Sequence, residues 1–190
     1  MSDDAEALYE FSRRGKLADV RALLDQGVQP DAFLAYDGSS ALVIAARSGH
    51  GQLVRLLVEK GAALHTHTDD GSSVLLHAVS GGSADAVEAL LRAGADPSEP
   101  NEDGVTPLIL AGDKGVMEVV KQLVGAGADV SAAADDWGSA LDSAKAAGHG
   151  EVAAYLASVG AKAVGAQQGE RKVAAGEQWG YDAFDGEKDY

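Results

Sequence analysis

The chain has 190 residues, enough for one or two domains, and its 30 acidic against 15 basic side chains give a formal charge of −15 at pH 7. Such a surface repels phosphate backbones, which argues against nucleic acid and for a basic protein partner. The lack of cysteine excludes disulfides and thiolate metal sites, no apolar run is long enough to span a membrane, and the acidic opening MSDDAEALYEF lacks the apolar stretch of a signal peptide, so a cytoplasmic protein is expected.

Along the chain, one leucine and two glycines recur in fixed register. The leucines are Leu8, Leu42, Leu75, Leu108 and Leu141, each followed by a glycine 7 residues on and another 12 residues after that. The step between units is 34 once and 33 three times. Self-similarity at this period marks a stacked-repeat architecture. The expected divisions are 1–33, 34–66, 67–99, 100–132 and 133–162, with a separate segment at 163–190.

The first unit lacks the turn glycine of the others and carries Phe11 where they carry alanine. The link to the second unit, through Phe33 and Leu34, has one extra residue. In units two to five a hydroxyl residue stands two positions before the leucine: Ser40, Ser73, Thr106 and Ser139. A side-chain oxygen there can accept from the first orphan amides of a helix. Pro107 follows Thr106, where a missing N–H costs nothing. In the fourth unit the reading gives a short helix over Leu108–Asp113, a glycine turn at Gly115 and a second helix over Met117–Gly125. The second helices carry apolar residues at helical spacing, as in Val54, Leu57 and Val58 or Val120, Leu123 and Val124. Small residues at Ala45, Ala78, Ala111 and Ala144 let the first helices pack closely. The fifth unit has Trp137 in the usual glycine position with Gly138 one residue late. It also has Lys145 in its first helix and Ala153 and Ala157 where others have Val or Leu. It reads as a C-terminal cap, since an end unit has one face without a neighbour.

A pair of short helices cannot bury its apolar stripe alone, and stacking the units buries all the stripes together. The fold class is therefore all-α, an α-solenoid. At Gly104-Val105-Thr106-Pro107-Leu108, Glu118-Val119-Val120 and Gly127-Ala128-Asp129 the unit resembles an ankyrin repeat, and the resemblance runs over about residues 4–162. It implies stacked helix-turn-helix units with β-turn-like fingers and a protein partner bound along the turn tips and the exposed ends of the inner helices.

Mapped onto this sequence, the tips are Tyr36-Asp37, Asp69-Asp70, Glu102-Asp103 and Asp135-Asp136, with Trp137 beside the last. The inner-helix ends include Arg13-Arg14, Arg47 and Asp113-Lys114. Two readings of the acidic tips stand side by side. They form a ladder that cradles a basic partner, or Asp before Gly is ordinary turn chemistry. The second explains Asp37, Asp70 and Asp103 but not Asp69, Glu102 or Asp135. Arg47 either meets a partner or pairs with Asp37, and Trp137 either anchors a partner or packs. His65, His67 and His77 with Asp69 and Asp70 have no compact metal-ligand spacing, and no nucleophile or phosphate-loop motif is present. A non-catalytic adaptor or inhibitor without metal or cofactor is expected, and the resemblance permits an immunity-type inhibitor of a toxin or enzyme. The alternative is a structural subunit held through the terminal segment. There Trp179, Tyr181, Phe184 and Tyr190, four of the chain's ten aromatics, alternate with acids. That segment docks elsewhere, folds back over the C-terminal cap, or has no role.

Overall fold

The structure is a computed structural model that describes residues 3–165. The Trp179, Tyr181 and Phe184 motif lies outside the described residues. Among the described residues ten helices form five pairs: α1 (Asp3–Arg13) with α2 (Leu17–Asp25), α3 (Ala41–Arg47) with α4 (Gly51–Glu59), α5 (Val74–Ser80) with α6 (Ala84–Arg92), α7 (Pro107–Lys114) with α8 (Met117–Gly125), and α9 (Ala140–Ala146) with α10 (Gly150–Ser158). Inner helices stack on inner helices and outer on outer along the array, giving the all-α solenoid implied by the repeat. Among the described residues no helix is long and apolar enough to cross a membrane.

The repeat markers do the work expected of them. Leu8, Leu42, Leu75, Leu108 and Leu141 are all buried in one continuous core that runs from unit to unit. Burying each such side chain is worth about 1.5–3 kcal/mol. Ala45, Ala78, Ala111 and Ala144 are fully buried between neighbouring inner helices. The side-chain oxygens of Ser40, Ser73, Thr106 and Ser139 each accept from the backbone N–H three residues on. Ser139 adds a capping box with Asp142. Helix α7 is one residue longer at each end than the sequence reading, because Pro107 fits the first helical position and Gly115 closes the helix in the left-handed conformation, φ +69°.

Two histidines tie the ends of the stack. His50 donates from Nε2 to the Arg13 carbonyl at 3.1 Å, and His149 to the Asp113 carbonyl at 2.8 Å. The central units lack this clamp, having Ser83 and Val116 in that position. There Gly81 allows α3 and α5 to approach closely, since a Cβ at this residue would stand 2.5 Å from the Ala46 carbonyl oxygen.

Candidate functional site: the row of finger turns

Between the helix pairs the chain makes four finger turns that protrude along one edge, numbered one to four in chain order. In the first three, the glycine N–H closes on the carbonyl three residues back: Gly38 on Ala35, Gly71 on Thr68 and Gly104 on Asn101. All three glycines have positive φ, which an L side chain resists. In the fourth, Trp137 cannot take that role, and its N–H closes on Ala134 with an ordinary φ. The positive φ moves to Gly138, at +67°. This finger is a short hairpin, β1 (Ala133–Ala134) paired antiparallel with β2 (Gly138–Ser139), and the second finger makes the equivalent His67–Ser73 bridge. Neighbouring fingers are joined through the backbone: the Asp69 N–H donates to the Asp37 carbonyl at 3.1 Å, and the Glu102 N–H to the Asp70 carbonyl at 3.5 Å.

The seven acidic tip residues divide into two kinds. Asp37 is drawn inward. Its Oδ1 accepts from the Ser39 N–H at 3.0 Å, and its Oδ2 meets both terminal nitrogens of Arg47 at 3.3 Å. Arg47 also donates to the Ser39 hydroxyl at 3.1 Å. Burial acts to raise the Asp37 pKa, but the Ser39 hydrogen bonds and the Arg47 charge outweigh it and leave the carboxyl below its usual range. Asp70 is likewise held, accepting from the Thr68 hydroxyl at 2.5 Å and from the Ser72 N–H and hydroxyl at 3.1 and 3.0 Å. Its pKa is lowered too, the hydrogen bonds from Thr68 and Ser72 overcoming its desolvation.

Behind Asp70 lies a polar group that the sequence reading considered only as a metal ligand. His77 is 2% exposed, at the position that holds Ile44 in unit two and Leu110 in unit four. Its Nε2 lies 2.9 Å from the Thr68 hydroxyl. That hydroxyl directs its proton to Asp70, so Nε2 carries a proton and donates to it. Burial first and the Arg47 charge second push the His77 pKa from 6.5 to about 4, against the attraction of Asp70 and Asp37, so the ring is neutral at pH 7. Units two and three thus each tie a finger to its inner helix through a polar group, Asp37–Arg47 in one and Asp70–Thr68–His77 in the other, and the charges of the first act on the His77 ring of the second. The signal for the second was a lone His at an otherwise apolar position.

The other five carboxylates, Asp69, Glu102, Asp103, Asp135 and Asp136, are exposed, and none accepts a hydrogen bond among the described residues. Ordinary turn chemistry therefore explains Asp37 and Asp70 but not Asp103. In the third finger the buried Asn101 supplies the turn acceptor instead, its Oδ1 taking the N–H of Asp103 at 3.1 Å and of Val105 at 2.9 Å. Asp103 is left pointing out.

Tyr36 is fully exposed and Leu34, two residues earlier on the same finger, is 55% exposed. Trp137 is half-buried against the core, and its carbonyl accepts from the Ser143 hydroxyl. Asp113 and Lys114 are half-buried at the end of α7. Arg13 and Arg14 both pair with Glu10, at 2.9 and 3.5 Å. The histidines do not converge. His65 is exposed, His67 pairs with Glu99 at 2.9 Å, and His77 is turned inward. Among the described residues no group of three His or carboxylate side chains is placed to hold a metal ion. The row of finger turns offers a charged edge.

A family model described as ankyrin repeats in three copies matches residues 8–101 and again 75–166. No curated protein matches the chain.

Proposed function

The chain belongs to the ankyrin-repeat family, a protein–protein interaction module, and from that premise we propose that it is a non-catalytic adaptor or inhibitor whose partner is a basic protein surface. The observation that carries this reading is the set of five exposed carboxylates, Asp69, Glu102, Asp103, Asp135 and Asp136, that accept no hydrogen bond among the described residues while two neighbours of the same type are engaged. Turn geometry does not need these five. Adjacent repeats stack about 10 Å apart, close to a Debye length at physiological salt, so their fields add on an approaching cation. The partner-binding set is then Tyr36, Asp69, Glu102, Asp103, Asp135 and Asp136 at the tips, flanked by Asp113, Lys114 and Trp137, with Asp37, Asp70 and Arg47 shaping the first two fingers from within. An immunity-type inhibitor that covers a basic toxin or enzyme is the sharper form of this function.

The test uses the partner recovered on immobilised full chain. Binding should weaken steeply as salt rises, and the variant Glu102→Ser, Asp103→Ser, Asp135→Ser, Asp136→Ser should lose both affinity and most of the salt dependence. A partner whose binding is indifferent to salt and to these four changes sinks the reading and favours a structural subunit held elsewhere.

A further inference from the structure

The exposed apolar side chains of the array are few and unevenly placed. Among the described residues the large ones are Leu34 and Tyr36 on the first finger and Val164 near the last described residue. The first finger is also an edge. Among the described residues no finger precedes the first helix pair, so none of them lies beside the outer side of residues 33–38 in the row. Phe33 is held below by Tyr9, ring centroids 5.3 Å apart, which leaves Leu34 and Tyr36 to project.

Cations of this unit gather at the last turn of α1 and just beyond it, while the first turn carries Asp3, Asp4 and Glu6. Arg13 and Arg14 share the single carboxylate of Glu10, and Lys16 is exposed just beyond. The rest of the row presents carboxylates. An occupant that fits here is apolar and acidic, and it is repelled by the other tips.

The chain itself carries such a segment. Residues 177–190 combine Trp179, Tyr181 and Phe184 with Glu177, Asp182, Asp185, Glu187 and Asp189 against one Lys188. The structure also shows where the chain starts toward it. After α10, Ala161 is buried with its N–H on the Leu156 carbonyl. The Val164 N–H donates to Asp142 Oδ2 at 2.9 Å, and the Gly165 backbone acts on the same carboxylate. Asp142 belongs to the capping box at the start of α9, so Gly165 stands beside the fourth finger. From the fourth finger to the first is three repeat steps, about 30 Å at the usual helix-packing distance. Trp179 is 14 residues beyond Gly165, and an extended chain of that length reaches about 46 Å. The intervening Arg171 and Lys172 match the acidic tips they pass.

We propose that the Trp179–Phe184 segment of the same chain docks on the first finger, with its rings against Leu34 and Tyr36 and its acids against Arg13, Arg14 and Lys16. The array then carries its own occupant along the face offered to a partner, and partner binding is a displacement.

The chain has no cysteine, so Ala183→Cys in the full chain gives a unique position for a nitroxide label. The label should erase the backbone amide NMR signals of residues 13–16 and 33–38 and leave those of α10 intact. Adding Leu34→Ser and Tyr36→Ser, both at exposed positions, should restore the erased signals without moving the rest of the spectrum, and high salt should restore them in part. Signals lost on α9 and α10 instead, or lost nowhere, overturn the proposal. So does loss seen when labelled chain without isotope is mixed with unlabelled isotopic chain, since that places the segment on a second copy.

Discussion

In the second finger Asp70 accepts hydrogen bonds from Thr68 and Ser72 and is linked through Thr68 to a buried histidine. One repeat later Asp103, in the same place beside the same turn glycine, accepts none among the described residues, because Asn101 has taken over the turn. The first two fingers are fastened to their inner helices by charge and hydrogen bonds. In the last two, Asn101 holds the third turn from within and the Ser143 hydroxyl on α9 ties the fourth through the Trp137 carbonyl, while the tip carboxylates take no part and face outward. Identical letters in a repeat therefore have different jobs, decided by what sits three residues before the glycine and on the helix behind. An engaged carboxylate contributes to stability, and an open one is available for recognition.

The largest test of this contrast is titration. Since the His77 pKa is depressed to about 4 from 6.5, the unfolded chain binds a proton below pH 6.5 that the folded chain refuses until about pH 4. Stability present above pH 6.5 should be lost as pH falls to about 4, by on the order of 3 kcal/mol. Urea unfolding across this range checks it. His77→Leu, which installs the residue type of Leu110, should flatten the slope, and an unchanged slope would remove His77 from the account. The lowered Asp37, Asp70 and Asp142 act in a separate window, with stability present above pH 3.8 and lost below it.

Next in size is Thr68→Val, which keeps the shape and removes the hydroxyl joining Asp70 to His77. With the buried ring losing its Thr68 partner, a cost of about 2 kcal/mol is expected, read as a lower urea midpoint. Asn101→Ala probes the other half of the row. It strips the acceptor from two backbone N–H groups, that of Val105 fully buried, and should cost about 1–2 kcal/mol. The smallest effects form the sharpest pair. Asp70→Ser should destabilise by about 1 kcal/mol through lost hydrogen bonds, while Asp103→Ser, one repeat on, should stay within about 0.5 kcal/mol. Equal losses at both positions would erase the distinction between engaged and open carboxylates.

Much of the architecture was legible because the repeat samples the same physics five times. The leucine and glycine register, the hydroxyl caps and the small inner-helix residues each imply a local geometry, and the stack follows from burying every stripe at once. The candidate site was legible only in part. The acidic tips could be found by position, and the Arg47–Asp37 pair could be offered as one of two readings. The link from Thr68 to His77 joins a finger to the inner helix behind it: the lone His at an apolar position signals a buried polar partner, but not which one. The fourth finger is another case: the late Gly138 was visible in the sequence, but that the positive φ moves to it while the Trp137 N–H still closes the turn was seen only in the structure.

The sequence by itself determined the period, the helices, their caps and the charge of the exposed edge, because each rests on contacts between residues a few positions apart. Only the tertiary structure decided how the engaged carboxylates are tied to the helices behind them, because the side chains that do so come from the inner helix and not from the turn. Arg47 reaches back to Asp37, and His77 reaches across to Thr68 beside Asp70. Asp103 has Asn101 as its turn's acceptor, and so its charge remains in water.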